Sequence, residues 1–226
     1  MITQSFRHTI LFTLLSIATS TFAQTSRKPY SINTNPLSHY SVKWNNPEYK
    51  ACNTTSNSLY MTKAERDVIY ILNLLHSNPA LFAKTVLAAY PDSSDRPWLK
   101  NKAEYKSLMD TLLKIQPITI MKPDKKCFTS AECQASSTGI TGFVGHERQN
   151  KDCEKKTCFN GECIAYGNSG ALDIVMQLLI DEGVPSLGHR MICLTGYPQL
   201  GVAIRSHKLY GYDAVLDFHW ESNGKW

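Results

Sequence analysis

The residues best placed to do chemistry lie in and just before the stretch 161–194 of this 226-residue chain. Glu162 sits ahead of an apolar helical pattern, and Gly188-His189-Arg190 follows that pattern as a turn. A second Gly-His pair, Gly145-His146, lies upstream. Neutral imidazoles from two separate loops can share a divalent metal, zinc being the usual case, at about 2.0–2.1 Å per nitrogen. A carboxylate beside them can orient water or act as a base. The competing reading is structural: Glu162 holds loop amides, and both His bond backbone and fix a long loop to the helices. No Ser or Cys has the setting of a nucleophile elbow and no HExxH occurs, which argues against catalysis; Glu162 would be the catalytic residue only if the chain is a hydrolase. His207 and His219 fall in or beside a β-type stretch and read as packed or solvent-facing.

What must position these residues is legible in part. Thr62 and Glu65 form a capping box, and Val68, Ile71, Leu72 and Leu75 then recur at helical spacing. Pro79 suits the first turn of a further helical stretch, 91–97 reads as a loop, and 104–115 predicts a helix with Tyr105, Leu108 and Leu112 on one face. Another helix is expected over 123–137, led by Asp124, and another over 170–181, ended by Gly183. Two β-type runs, 200–205 and 210–220, close the chain as a hairpin with its turn near His207-Lys208. Helices first and strands last predict an α+β fold rather than alternating βαβ units. The expected organisation is a signal peptide over 1–23, an extended N-terminal arm over 24–60 and one domain over 61–226.

The leader reading rests on Arg7 and His8 before an apolar run at 10–18, with Thr21 and Ala23 where a signal peptidase reads small residues. That run is short of the roughly 20 residues a membrane span needs, and no later stretch reaches it. The expected location is therefore secreted, periplasmic or extracellular. A net charge of +5 without a basic, aromatic-interleaved stripe argues against nucleic acid as a partner. Seven cysteines in an exported chain favour disulfides, three bridges and one free thiol being the simplest count. The alternative is a metal-thiolate site on the evenly spaced Cys153, Cys158 and Cys163. Cys127 and Cys133 on one helix would lie about 9 Å apart along its axis, too far to bridge each other.

Taken in order, 72–83 (LNLLHSNPALFA), Gly145-His146, Gly161-Glu162-Cys163-Ile164-Ala165, Gly188-His189-Arg190 and Gly201-Val202-Ala203 resemble the CAP superfamily of cysteine-rich secretory, antigen-5 and pathogenesis-related proteins. The Gly-His-Arg turn is most similar to the bacterial-type SCP-like extracellular domains. The resemblance implies an α-β-α sandwich around a small antiparallel sheet, with a cleft lined by His146, Glu162 and His189. His146 and His189 would be the metal ligands, for zinc or another divalent ion. It also implies a small apolar or lipid ligand, and a Cys163–Cys193 disulfide tying the two cleft motifs. Cys163 departs from the family's usual Asn. The second acidic residue of animal members has no clear counterpart: Gln177 falls nearest, and Asp181 and Glu182 are poor substitutes at a helix end. The resemblance thus predicts a secreted binding module. A metal-dependent, protease-like hydrolase using His146, His189 and Glu162 is the alternative, and a structural or partner-binding surface protein is the second alternative.

Overall fold

The structure is a computed structural model, and it describes residues 35–220. Calls on the leader at 1–23 and on the start of the arm lie outside the described residues. Helix α1 (Lys63–Ser77) begins at the capping box: Thr62 N donates to Glu65 Oε2 at 2.6 Å, and Glu65 N donates to Thr62 Oγ1 at 3.3 Å. Its core face is continuous from Val68 to Leu75 and also buries Asn73 and His76. Asn73 uses its amide as a three-way tie, donating to Cys52 O and Met121 O and accepting from Met121 N, all at 2.9–3.0 Å. That bond set fixes the chain on both sides of α1, as buried polar groups must be paired.

The next stretch runs from α2 (Pro79–Phe82) through a π-helical turn, Ala83–Leu87, into α3 (Ala88–Ser93), with Pro91 inside it. The expected loop therefore starts later, after Ser93. Helix α4 (Ala103–Lys114) buries Tyr105, Leu108 and Leu112, the predicted face. Helix α5 (Lys125–Thr141) starts where Asp124 Oδ1 accepts from Cys127 N at 2.9 Å, and it runs a turn beyond the expected end to Gly142, which is left-handed at φ 79°. A single turn, α6 (Lys151–Glu154), interrupts the long loop that follows. Helix α7 (Ala171–Ile180) is followed by α8 (Gly188–Leu194), whose first turn is Gly188-His189-Arg190 rather than a separate turn.

Strands β1 (Lys122–Pro123), β2 (Gly161–Tyr166), β3 (Gln199–His207) and β4 (Gly211–His219) form one sheet in the order β1-β3-β4-β2. β1 runs parallel to β3, and β4 pairs antiparallel with both β3 and β2. The fold is thus α+β, with a small mixed sheet. Helix α5 lies along β3 and β4, while α1 packs on α7 and reaches β3. Contact between α5 and β3 is backbone to backbone: a Cβ at Gly201 would meet Phe128 N at 2.0 Å, so only glycine fits there.

Residues 35–60 hold two 3-10 turns, Val42–Asn45 and Pro47–Cys52, rather than a wholly extended arm. Leu37, Trp44 and Tyr49 are buried, and Trp44 Nε1 donates to Thr85 Oγ1 at 3.1 Å. Aromatic anchoring without helical periodicity leaves little trace in a sequence pattern. Among the described residues no helix is long and apolar enough to cross a membrane.

Candidate functional site

His146 stands in the loop between α5 and β2. Gly145 precedes it at φ 140°, a conformation that L side chains rarely adopt. Gly145 N donates to Tyr166 Oη at 3.0 Å, and Gln134 Nε2 donates to Gly145 O and Glu147 O at 3.3 and 3.2 Å. These bonds hold the loop while the His146 side chain stays 57% exposed. His146 Nδ1 lies 2.8 Å from Glu162 Oε1.

Glu162 is buried on β2, behind His146, and does not itself line the cleft. Its other oxygen, Oε2, sits 2.5 Å from Arg148 Nη2, an ion pair without good hydrogen-bond alignment. Arg148 stacks over Phe159 at 4.9 Å and comes within 3.6 Å of Asp217 Oδ2. Asp217 is the direct cross-strand partner of Glu162. Burial first, and then the neighbouring Glu162 charge, push its carboxyl up to about 9, so it carries a proton at neutral pH. Burial also pushes Glu162 up, but the contacts from His146 and Arg148 together outweigh it and hold Glu162 below the usual range. Two carboxyls side by side therefore share one negative charge, which rests on Glu162.

His189 is held differently. Helix α7 ends at Asp181, whose backbone is left-handed at φ 58°, and this folds the carboxylate back over the start of α8. Asp181 Oδ2 accepts from His189 N at 3.0 Å and Arg190 N at 3.3 Å, and Oδ1 lies 2.7 Å from His189 Nδ1. Arg190 is buried and caps the end of α7: Nε donates to Leu179 O at 2.7 Å and Nη2 to Ile180 O at 2.8 Å. It also donates to Ser107 Oγ and Glu104 O, tying α4 to the turn. A cation at a helix C-terminus satisfies orphan carbonyls and the helix dipole together.

The two imidazoles face one another with ring centroids 6.3 Å apart and planes 32° from parallel. They line one cleft of about 630 Å³, whose walls include the apolar Trp98, Leu99, Val144, Ile164 and Val184 and the polar Tyr90, Arg96 and Gln177. A neutral imidazole whose Nδ1 donates to such a carboxylate keeps its lone pair on Nε2, the arrangement that orients metal-binding histidines. Two rings sharing one zinc at about 2.0–2.1 Å have centroids roughly 5–6.4 Å apart, from tetrahedral to linear. At 6.3 Å the rings stand near the linear limit, about 1 Å wider than tetrahedral zinc requires, so they would have to draw together to share one ion.

The structure thus brings His146, Glu162 and His189 together and adds Asp181, Arg148 and Asp217. Asp181 is visible in the sequence but looks misplaced until its left-handed cap turns it around. Asp217 becomes a neighbour only through the β2–β4 register. Gln177 lines the cleft but contacts Asn168 and Tyr166 O rather than either His.

Among the cysteines, Cys133 and Cys153 form a disulfide, which removes Cys153 from the proposed Cys153/Cys158/Cys163 metal site. Cys163 and Cys193 are buried against one another, but their sulfurs are unbonded thiols. Cys163 Sγ instead donates to His189 O at 3.7 Å. His207 is a structural turn residue: its Nδ1 accepts from Leu209 N and Tyr210 N, and Nε2 meets Phe143 O.

Fold and site together define an α+β protein with a cleft built on two carboxylate-oriented imidazoles. Compared with family models, curated proteins and solved structures, the chain matches none of them.

Proposed function

We propose that this chain is an exported binding module of the CAP type, taking a divalent metal between His146 and His189 and a small apolar ligand along the adjoining wall. One observation carries the reading: His146 and His189 each hand Nδ1 to a buried carboxylate, at 2.8 and 2.7 Å, within one cleft. A structural role for both rings would not call for two such pairs facing each other. The cleft volume of about 630 Å³ lies in the range of small-molecule sites, and its apolar walls suit a lipid-like or other apolar ligand. The ordered motifs and the helices around a small sheet are what a CAP-type sandwich would need. The Cys133–Cys153 disulfide accords with export to an oxidising compartment.

Binding is favoured over hydrolysis because neither Glu162 nor Asp181 is free to act as a base. Glu162 is engaged by His146 and Arg148, and Asp181 by His189 and two amides. A metal held by the two His would supply positive charge to polarise a ligand oxygen. Elemental analysis of purified protein, with mass spectrometry of whatever copurifies, tests the proposal. Bound zinc or a related ion, together with an apolar small molecule, is the expected result. Hydrolysis abolished by a chelator would favour the enzyme reading. A metal-free, ligand-free protein that still captures a macromolecular partner would favour the structural one.

A further inference from the structure

We propose that Cys127 and Cys158 close into a second disulfide, which together with Cys133–Cys153 laces the His146 loop to α5. Their sulfurs lie 2.9 Å apart, inside ordinary non-bonded separation. Both sides of the contact are already fixed. Cys127 sits in the first turn of α5, where a Cβ on Gly201 of β3 would strike Cys127 C at 2.2 Å. Cys158 is held one helical turn along, its N donating to Ser130 Oγ at 3.2 Å. Closing the bond therefore needs little movement of either backbone. Cys133–Cys153 is nested inside the new bridge, so both clasps run from α5 to the same end of the loop. His146 and Arg148, the two loop residues that reach Glu162, lie within the laced segment.

A metal is the rival occupant, since a ring nitrogen of His219 lies within 4.8 Å of both sulfurs. Two thiolates on one tetrahedral zinc, at about 2.3 Å each, would sit roughly 3.7 Å apart, wider than the sulfurs here. A chain that carries Cys133–Cys153 is already in its oxidised form. In the step itself both S–H bonds break and one S–S bond forms. The two protons and two electrons pass to a disulfide oxidant, a small-molecule or protein disulfide, which leaves as two thiols.

This inference does not depend on what the cleft binds. The test uses the full chain made in an oxidising compartment, alkylated in denaturant without reductant, digested and mapped by mass spectrometry. The expected result is a linked Cys127–Cys158 peptide pair beside Cys133–Cys153, with Cys52 alkylated. Alkylated Cys127 and Cys158, either residue paired elsewhere, or protection that a chelator removes would each overturn the proposal. A Cys127→Ser/Cys158→Ser double variant keeps the lacing role testable on its own. Amide exchange across 142–160 should speed up several-fold while Cys133–Cys153 stays intact. Unchanged exchange in that variant would overturn the role.

Discussion

The two halves of the cleft use one device on two different supports. On each side a buried carboxylate takes the Nδ1 of an imidazole, at 2.8 Å for Glu162 and 2.7 Å for Asp181. The His189 half is built on helix ends: Asp181 also binds two backbone amides, Arg190 caps α7, and the ring is 23% exposed. The His146 half hangs on a loop with one short helical turn, and its ring is 57% exposed. What is rigid there is the layer beneath it, Glu162, Arg148 and Asp217. The contrast is one of support: helix ends carry His189, and a tied-down loop carries His146.

The largest break should come from the His189 side. Arg190→Ala leaves the carbonyls of Leu179, Ile180 and Glu104 without their donor and is expected to cost about 3–4 kcal/mol. A denaturant midpoint that hardly moves would mean that Arg190 does not hold the helix ends together.

Next comes the pH response of the layer under His146. Asp217 titrates near 9 in the folded protein, well above its ordinary 3.8, so the folded state holds the extra proton between those values. The stability it contributes is full below the unfolded value and is lost as pH rises through about 9. Between pH 7 and 9 the fall should be on the order of 2 kcal/mol, and Asp217→Asn should flatten it. Unfolding curves at several alkaline pH values check this. A wild-type profile as flat as the variant's would separate Asp217 from the Glu162 charge.

A smaller difference sharpens the comparison. His189→Ala strands part of a buried carboxylate and should cost about 1 kcal/mol, while His146→Ala should cost less than about 0.5 kcal/mol. Both fall well below Leu179→Ala, which opens a cavity in the core and should cost about 2–5 kcal/mol. Thermal melts of the three variants give the order directly.

What the sequence foretells here is what is local. The Thr62–Glu65 box, the Tyr105/Leu108/Leu112 face and the final hairpin follow from spacing alone, because neighbours in the chain decide them. Glu65 shows where that ends: the same carboxylate also accepts from Ile204 N at 2.9 Å, across 139 residues. His146, Glu162 and His189 stood out because Gly-His turns and an isolated Glu are conspicuous. Asp181 reads as a poor substitute at a helix end because helix periodicity carries no sign of a left-handed cap. Arg148 and Asp217 were silent, one reading as loop polarity and the other as an ordinary alternating strand position until the β2–β4 register places it opposite Glu162. Cysteine pairing was equally out of reach, since it depends on how the loop folds back along α5.

The central claim is that His146 and His189 act as one pair, and calorimetric titration with zinc tests it most directly. Wild type, His146→Ala, His189→Ala and Asp181→Asn should be compared at one pH where imidazole is neutral. One ion per wild-type chain is expected. Affinity should be lost in both alanine variants, and it should fall about tenfold or more in Asp181→Asn, whose carboxylate only orients the ring. Equal affinity in all four proteins would contradict the account and leave the two Gly-His turns as structural corners.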